Sequence, residues 1–275
     1  MLIRISHLTR YRYEPPAASV IQILRMTPRN HDGQYVAHWR IDVSTDCRLD
    51  QHEDAFGNIS HVFTAEGPLP ELSVQVEGEV ETRDTQGIIR GEVERFPPSF
   101  YLRETALTCV DPGIAEFAVA ARDAARNDVL GTLHTMLDRL HEEMTFDTGS
   151  TTTTTSAAEA FAIKRGVCQD FAHIFISGAR CLGIPARYVG GYFLRGDGVS
   201  ALDAGHAWAE ANVPELGWIA FDAANGFCPT DAHVRVAIGL DYLGASPVRG
   251  TRHGGGNEML TVRLQVEQAA QQTQN

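Results

Sequence analysis

Three things missing from this sequence limit what it can be. It has no excess of positive charge: 23 Lys and Arg stand against 35 Asp and Glu, a formal net charge of −12. Phosphate backbones and anionic bilayers need a basic face, so nucleic acid and membrane surfaces are not expected partners, and neutral or basic substrates fit better. It has no apolar run long enough to span a bilayer. The stretch from Met1 to His7 lacks the apolar centre and small-residue cleavage site of a signal peptide, which makes a soluble cytoplasmic location the expectation. Finally, its five cysteines, Cys47, Cys109, Cys168, Cys181 and Cys228, include no C-x-x-C pair. An odd number without paired spacing suits reduced thiols and leaves no zinc or redox motif. No cofactor motif is present either: Gly254-Gly255-Gly256 is followed by no lysine and no helix start, so it reads as a loop and not a phosphate cradle.

What is present begins with strands. At 43% hydrophobic over 275 residues, the chain can hold one large core or two ordinary domains. Leu2 to Tyr13 alternates, as does Tyr35 to Val43 with Tyr35, Ala37, Trp39, Ile41 and Val43 on one face. In Leu72 to Thr82 the residues Leu72, Val74, Val76, Gly78 and Val80 oppose Ser73, Gln75, Glu77, Glu79 and Glu81. These are half-solvated antiparallel strands of a sandwich-like β domain. Asp54-Ala55-Phe56-Gly57-Asn58 reads as a turn, and Phe96-Pro97-Pro98-Ser99 marks the exit from the region. The expected division is an N-terminal β domain over 1–105, an α+β catalytic core over 106–267 and a frayed polar tail over 268–275.

Helices follow. Ile114 to Arg126 is alanine-rich, and Asp128 caps a second helix with Val129, Leu133, Met136, Leu137, Leu140 and Met144 in one stripe. The run Thr151 to Thr155 is a surface loop, and Ser156-Ala157-Ala158-Glu159 is a capping box that starts a short helix. Next comes Gly166-Val167-Cys168, opening an apolar stretch in which Phe171, Phe175 and Leu182 recur at helical spacing before Gly183 and Pro185 stop it. Cys168 thus sits in the first turn of a buried helix, where free amides and the helix dipole favour a thiolate. Read alone, it would be a small buried hydrophobe. Two residues further along argue for chemistry. His206 to Val213 and Trp218 to Asp222 read as strands around the turn Pro214-Glu215-Leu216-Gly217, a hairpin that brings His206 beside Asp222. A carboxylate on one imidazole nitrogen fixes the tautomer and leaves the other to take a thiol proton.

Neighbouring polar residues have structural readings. Asp170 and His173 share a helix face but lack a third ligand nearby, so no metal site is expected. Arg187 is expected to pair with a carboxylate such as Asp170, and His173 to hydrogen-bond in the interior. Trp208 lies on the strand face of His206 and either shields the imidazole or fills core.

The order of cysteine on a helix, histidine on a strand and aspartate on the next strand resembles the transglutaminase-like cysteine enzymes of the papain-like group. Gly166-Val167-Cys168-Gln169-Asp170-Phe171-Ala172-His173 and Gly183 to Tyr192 are similar to the bacterial and archaeal branch. Tyr11 to Pro15, Leu24 to Arg29 and Asp54 to Asn58 resemble the N-terminal domain that accompanies bacterial cores of this kind. The resemblance implies a papain-like α+β core, with the cysteine helix packed on an antiparallel sheet that carries the histidine and aspartate. It implies a thiol enzyme acting on amide or peptide bonds, with Cys168, His206 and Asp222 catalytic and Gln169 and Trp208 supporting the site or its oxyanion. The expected partner is a protein or peptide substrate. One position departs from the animal crosslinking enzymes, where a tryptophan follows the nucleophile: Gln169 stands here, which favours hydrolysis over transfer to an amine. A peptide-binding scaffold without catalysis would not need all three residues.

Overall fold

The computed structural model describes residues 1–202 and 204–269. It is a mixed α+β protein whose larger sheets are antiparallel. Strands β1 (Leu2–Thr27), β2 (Gln34–Val43), β3 (Asp50–Glu53), β4 (Ile59–Thr82) and β5 (Ile88–Ile89) come first, followed by helices α1 (Pro112–Ala124) and α2 (Val129–Glu143). Strand β6 (Thr145–Phe146), helix α3 (Ala157–Ile163), strand β7 (Arg165–Gly166) and helix α4 (Cys168–Cys181) lead into β8 (Ala186–Phe193), β9 (Ala201–Leu202), β10 (His206–Val213), β11 (Gly217–Phe221) and β12 (His233–Gly239). A one-turn helix α5 (Tyr242–Ala245) and strands β13 (Val248–Gly254) and β14 (Asn257–Gln268) follow. Among the described residues no helix is long and apolar enough to cross a membrane.

Alternation builds the first sheet. Ile3, Ile5, His7, Thr9, Tyr11 and Tyr13 of β1 are buried, as are Leu72, Val74, Val76 and Val80 of β4, with polar residues between them. The pairing of β1 with β4 is broken between Arg12 and Ser19. Tyr11 and Tyr13, before the break, share one cluster with Val20, Leu24 and Met26 after it. The seven-stranded sheet therefore folds over on itself, which produces the sandwich-like character. One expected face is shifted. Register slips between Val36 and His38, so Trp39, Ile41 and Val43 turn inward while Tyr35 stays exposed.

The second sheet, in the order β12-β8-β10-β11-β5, carries the site. Helix α4 packs across it, and Ala207, Ala209 and Ala211 of β10 are small enough to let the helix approach with Phe171, Ile174 and Phe175. The opposite face buries Val189, Trp208, Trp218 and Ile238 beneath Tyr101, Phe96 and Phe100 of the connecting segment. The expected caps form: Asp128 accepts from Gly131 N–H at 2.6 Å, and Ser156 and Glu159 make the reciprocal box.

The expected division at residue 105 does not coincide with the sheets. Strand β5 joins the second sheet through β11, and β13 and β14 return to pair with β1. Alternation marks a strand but not its partner, which is why this closure was not visible. Gln268 ends β14 instead of opening a frayed tail, and Ala269 donates its N–H to Leu2 at 2.9 Å. Residues 270–275 of the expected tail lie outside the described residues.

Candidate active site

Cys168 is the first residue of α4, after Val167 in extended conformation. Asp170 folds back so that its Oδ2 accepts Val167 N–H at 2.8 Å. Gly166 makes this possible, because a Cβ there would meet the Asp170 carboxyl at 2.5 Å. The same oxygen accepts the Thr151 hydroxyl at 2.7 Å, and Gln169 Nε2 reaches the Thr153 carbonyl at 3.4 Å. The threonine loop is thus stitched to the helix start. Gln169 serves as one of those stitches. Burial pushes the Asp170 carboxyl up, opposed by the bonds from Thr151 and Val167.

His206 begins β10, and Asp222 directly follows β11, at the two ends of the expected hairpin. His206 Nε2 meets Asp222 Oδ2 at 2.6 Å. Cys168 also acts on the imidazole, and Nδ1 is the ring nitrogen that Asp222 leaves free. Burial works against a charged ring, but Asp222 and Cys168 outweigh it and push His206 up to about 10. The Asp222 carboxyl, which burial would raise, is held well below the usual range by His206 and His233. Accessibility is graded: the Asp222 side chain is fully enclosed and that of His206 is 14% exposed.

Two further residues complete the cluster, and sequence reasoning missed both. Asn225 Nδ2 donates to Asp222 Oδ2 at 2.7 Å, within the tight turn in which Asp222 N–H bonds Phe227 O at 3.0 Å. His233 Nε2 lies 3.1 Å from the same oxygen. One signal could have exposed His233: it alternates with Arg235 between Val234 and Val236, a polar row on a strand that is otherwise apolar. Trp208 is buried, its ring 6.0 Å from that of His206 and 5.4 Å from that of His233. It fills the space beside both imidazoles. Gly191 admits it, since a Cβ would stand 2.7 Å from the indole. Phe193 faces both histidine rings, at 5.3 and 4.5 Å.

The ligand-type atoms of His206, Asp222 and His233 lie within 4.8 Å of one another. They bond directly to each other, with both imidazole nitrogens aimed at one carboxylate oxygen. That is a hydrogen-bond chain and not a set of lone pairs converging on a shared point about 2 Å away.

Arg187 departs from expectation. Its partners are Glu210, directly across the β8–β10 ladder at 2.6 Å, with Glu94 at 2.9 Å and Glu92 at 3.2 Å, and its guanidinium lies 3.9 Å above the Trp218 ring. Asp170 is not among them. The connecting segment that carries Glu92 and Glu94 is far away in sequence, so no local pattern announced the pairing. His173 meets its expectation of an interior bond, accepting Tyr242 N–H at 3.0 Å.

This build, a cysteine helix start against an antiparallel sheet holding histidine and aspartate, defines the class of papain-like, transglutaminase-like thiol enzymes. Residues 3–81 match the family model described as the bacterial transglutaminase-like N-terminal region, and residues 117–223 match the transglutaminase-like superfamily. Residues 117–223 thus match the superfamily's core, and residues 3–81 match the bacterial N-terminal region that goes with it. An uncharacterized protein of Mycobacterium leprae is 29% identical over 282 residues, covering 98% of this chain and 99% of its own. One from Mycobacterium tuberculosis is 27% identical over 281 residues, covering 90% and 86%. The solved structure of a candidate cysteine protease from Cytophaga hutchinsonii matches 97% of this chain and 90% of its own with a TM-score of 0.76. At 20% sequence identity, that likeness speaks for the fold.

Proposed function

We propose that this protein is a thiol-dependent peptidase or amidase working through Cys168, His206 and Asp222. The observation that carries the reading is the 2.6 Å bond from His206 to Asp222, with Cys168 acting on the same ring from a helix start. The proton rests on His206 and the sulfur attacks the substrate carbonyl. The developing oxyanion lies at the first amides of α4, beginning with that of Cys168, which the helix leaves free. His206 Nδ1 then gives its proton to the departing amine, leaving a thioester on Cys168. Water, deprotonated by the now neutral His206, attacks the thioester and releases the acid, and the proton returns to the imidazole. Asp222 keeps the ring oriented and balances its charge throughout.

Transfer of the thioester to an amine is the second reading. It is favoured by the apolar wall of Phe193 and Trp208 beside His206, which limits water. A peptide library incubated with and without a primary amine, read by mass spectrometry, separates the two. Cleavage unaffected by the amine supports hydrolysis; amine-bearing products support transfer. The enzymatic reading itself fails if iodoacetamide at neutral pH modifies Cys168 no faster than the exposed Cys109. A cytoplasmic location remains our proposal, and the five free cysteines are compatible with its reducing conditions.

A further inference from the structure

Strand β12 is the edge of the site-bearing sheet, and an edge strand leaves backbone groups without ladder partners. Two carboxamides from the N-terminal unit take them. Gln34 donates Nε2 to the Arg235 carbonyl at 2.9 Å and accepts Arg235 N–H at 2.8 Å. Asn58 does the same at Ile238, with both bonds 2.8 Å. A side-chain amide offers one acceptor and donors in a plane, so each residue substitutes for a peptide group of a missing strand. Gln34 is itself fixed by a second donor bond to Arg29 O at 2.8 Å, and the Thr82 hydroxyl donates to Asp231 O just before the strand.

The strand held this way begins with His233, whose tautomer its partners decide. Nδ1 accepts Thr230 N–H at 3.2 Å and so carries no proton, leaving Nε2–H to donate to Asp222 Oδ2. Among the described residues, the groups facing the ring are Asp222, His206 at 5.9 Å, Phe193, Trp208 and Phe227, of which Asp222 is the only anion. Its neutral state agrees with a pKa that burial lowers.

We propose that His233 is a positioning residue that aims Asp222 at His206, and that the N-terminal unit holds it in place through the Gln34 and Asn58 clamps on β12. The inference rests on the triad reading above. It gives the N-terminal unit a part in catalysis without supplying a reacting group: a carboxylate pinned by a second donor cannot swing away from the imidazole, and that donor stays put only while its strand does.

The test is the pH profile of Cys168 alkylation by iodoacetamide in the whole protein, with thermal melting to confirm folding. His233→Leu should slow alkylation near neutral pH by about tenfold or more and move the rise of the profile to higher pH, because the loss of a buried donor weakens the charged ring beside the sulfur. His233→Gln, whose amide can still reach Asp222, should recover most of the rate. A Gln34→Ala/Asn58→Ala double variant, with every site residue intact, should fall between. A wild-type profile in folded His233→Leu overturns the positioning role, and one in the folded double variant overturns the clamp. If His233→Leu does not fold, the double variant carries the test. Failure of the triad reading is distinct: there Asp222→Asn also leaves the profile unchanged, and the inference falls with it.

Discussion

Two charged clusters share the same three strands, and they have been built to opposite ends. Strand β10 carries His206 and Glu210, β12 carries His233 and Arg235, and β8 carries Phe193 and Arg187. At one end, Arg187, Arg235, Glu210 and Glu92 are enclosed and satisfy one another, with Glu94 closing the outside. At the other, His206, Asn225 and His233 all converge on Asp222, and Cys168 acts on the His206 ring from a helix start. Burial is similar in both. What differs is the terminus: the first cluster leaves no charge seeking a partner, and the second ends beside the thiol proposed as nucleophile. Buried charge alone therefore does not single out a candidate site.

The largest expected effect breaks the comparison at the open end. Cys168→Ala should abolish turnover with little change in melting temperature, since a half-buried sulfur adds little packing; turnover in that folded variant would end the enzymatic reading. Asp222→Asn should lower the maximal rate on the order of a thousandfold with substrate affinity nearly unchanged, through a misdirected tautomer. Single-turnover kinetics on a cleaved peptide would show it, and a wild-type rate would remove Asp222 from the mechanism.

Arg187→Met probes the closed cluster, with the opposite signature. It leaves Glu210 and Glu92 short of a partner and should cost about 3–5 kcal/mol of stability. The fraction that remains folded should alkylate Cys168 at the wild-type rate; slowed alkylation would mean that the two clusters are coupled.

Acidity separates them more finely. His206 is raised from 6.5 to about 10, so its contribution to stability is complete below 6.5 and is lost as pH climbs toward 10. Glu210, despite burial, is lowered by Arg235 and Arg187 from 4.5 to about 2, so its contribution is complete above 4.5 and is lost as pH falls toward 2. Glu92, raised by burial, offsets part of that acid loss. Melting temperature against pH should decline on both sides, and His206→Gln should flatten the alkaline side and, by removing a partner of Asp222, part of the acid side. The smallest change expected is for Thr151→Val, which unties one stitch to Asp170 and should slow turnover several-fold at most.

The open cluster was the more legible of the two. Cys168 announced itself by a glycine and an apolar helix, and His206 and Asp222 by a hairpin whose ends must meet; all three signals are local. His233 and Asn225 were not read because one lies on a strand that reaches Asp222 only across the sheet, and the other in a turn whose shape the sequence does not spell out. Glu92 and Glu94 were hidden for the same reason, and so was the destination of β13 and β14. Alternation can mark a strand, but a strand's partner is chosen by tertiary packing.

That destination affects when the protein becomes whole during its synthesis. Strand β1 leaves the ribosome more than two hundred residues before its neighbour β14, with Ile3 beside Gln268 and Glu14 beside Asn257. The sheet that clamps β12 is thus incomplete while the cysteine, histidine and aspartate are already outside the exit tunnel. Pairing over such a separation is slow to close. From its emergence until β14 follows, the nascent chain carries its thiol beside a frame not yet locked, and that strand ends the interval.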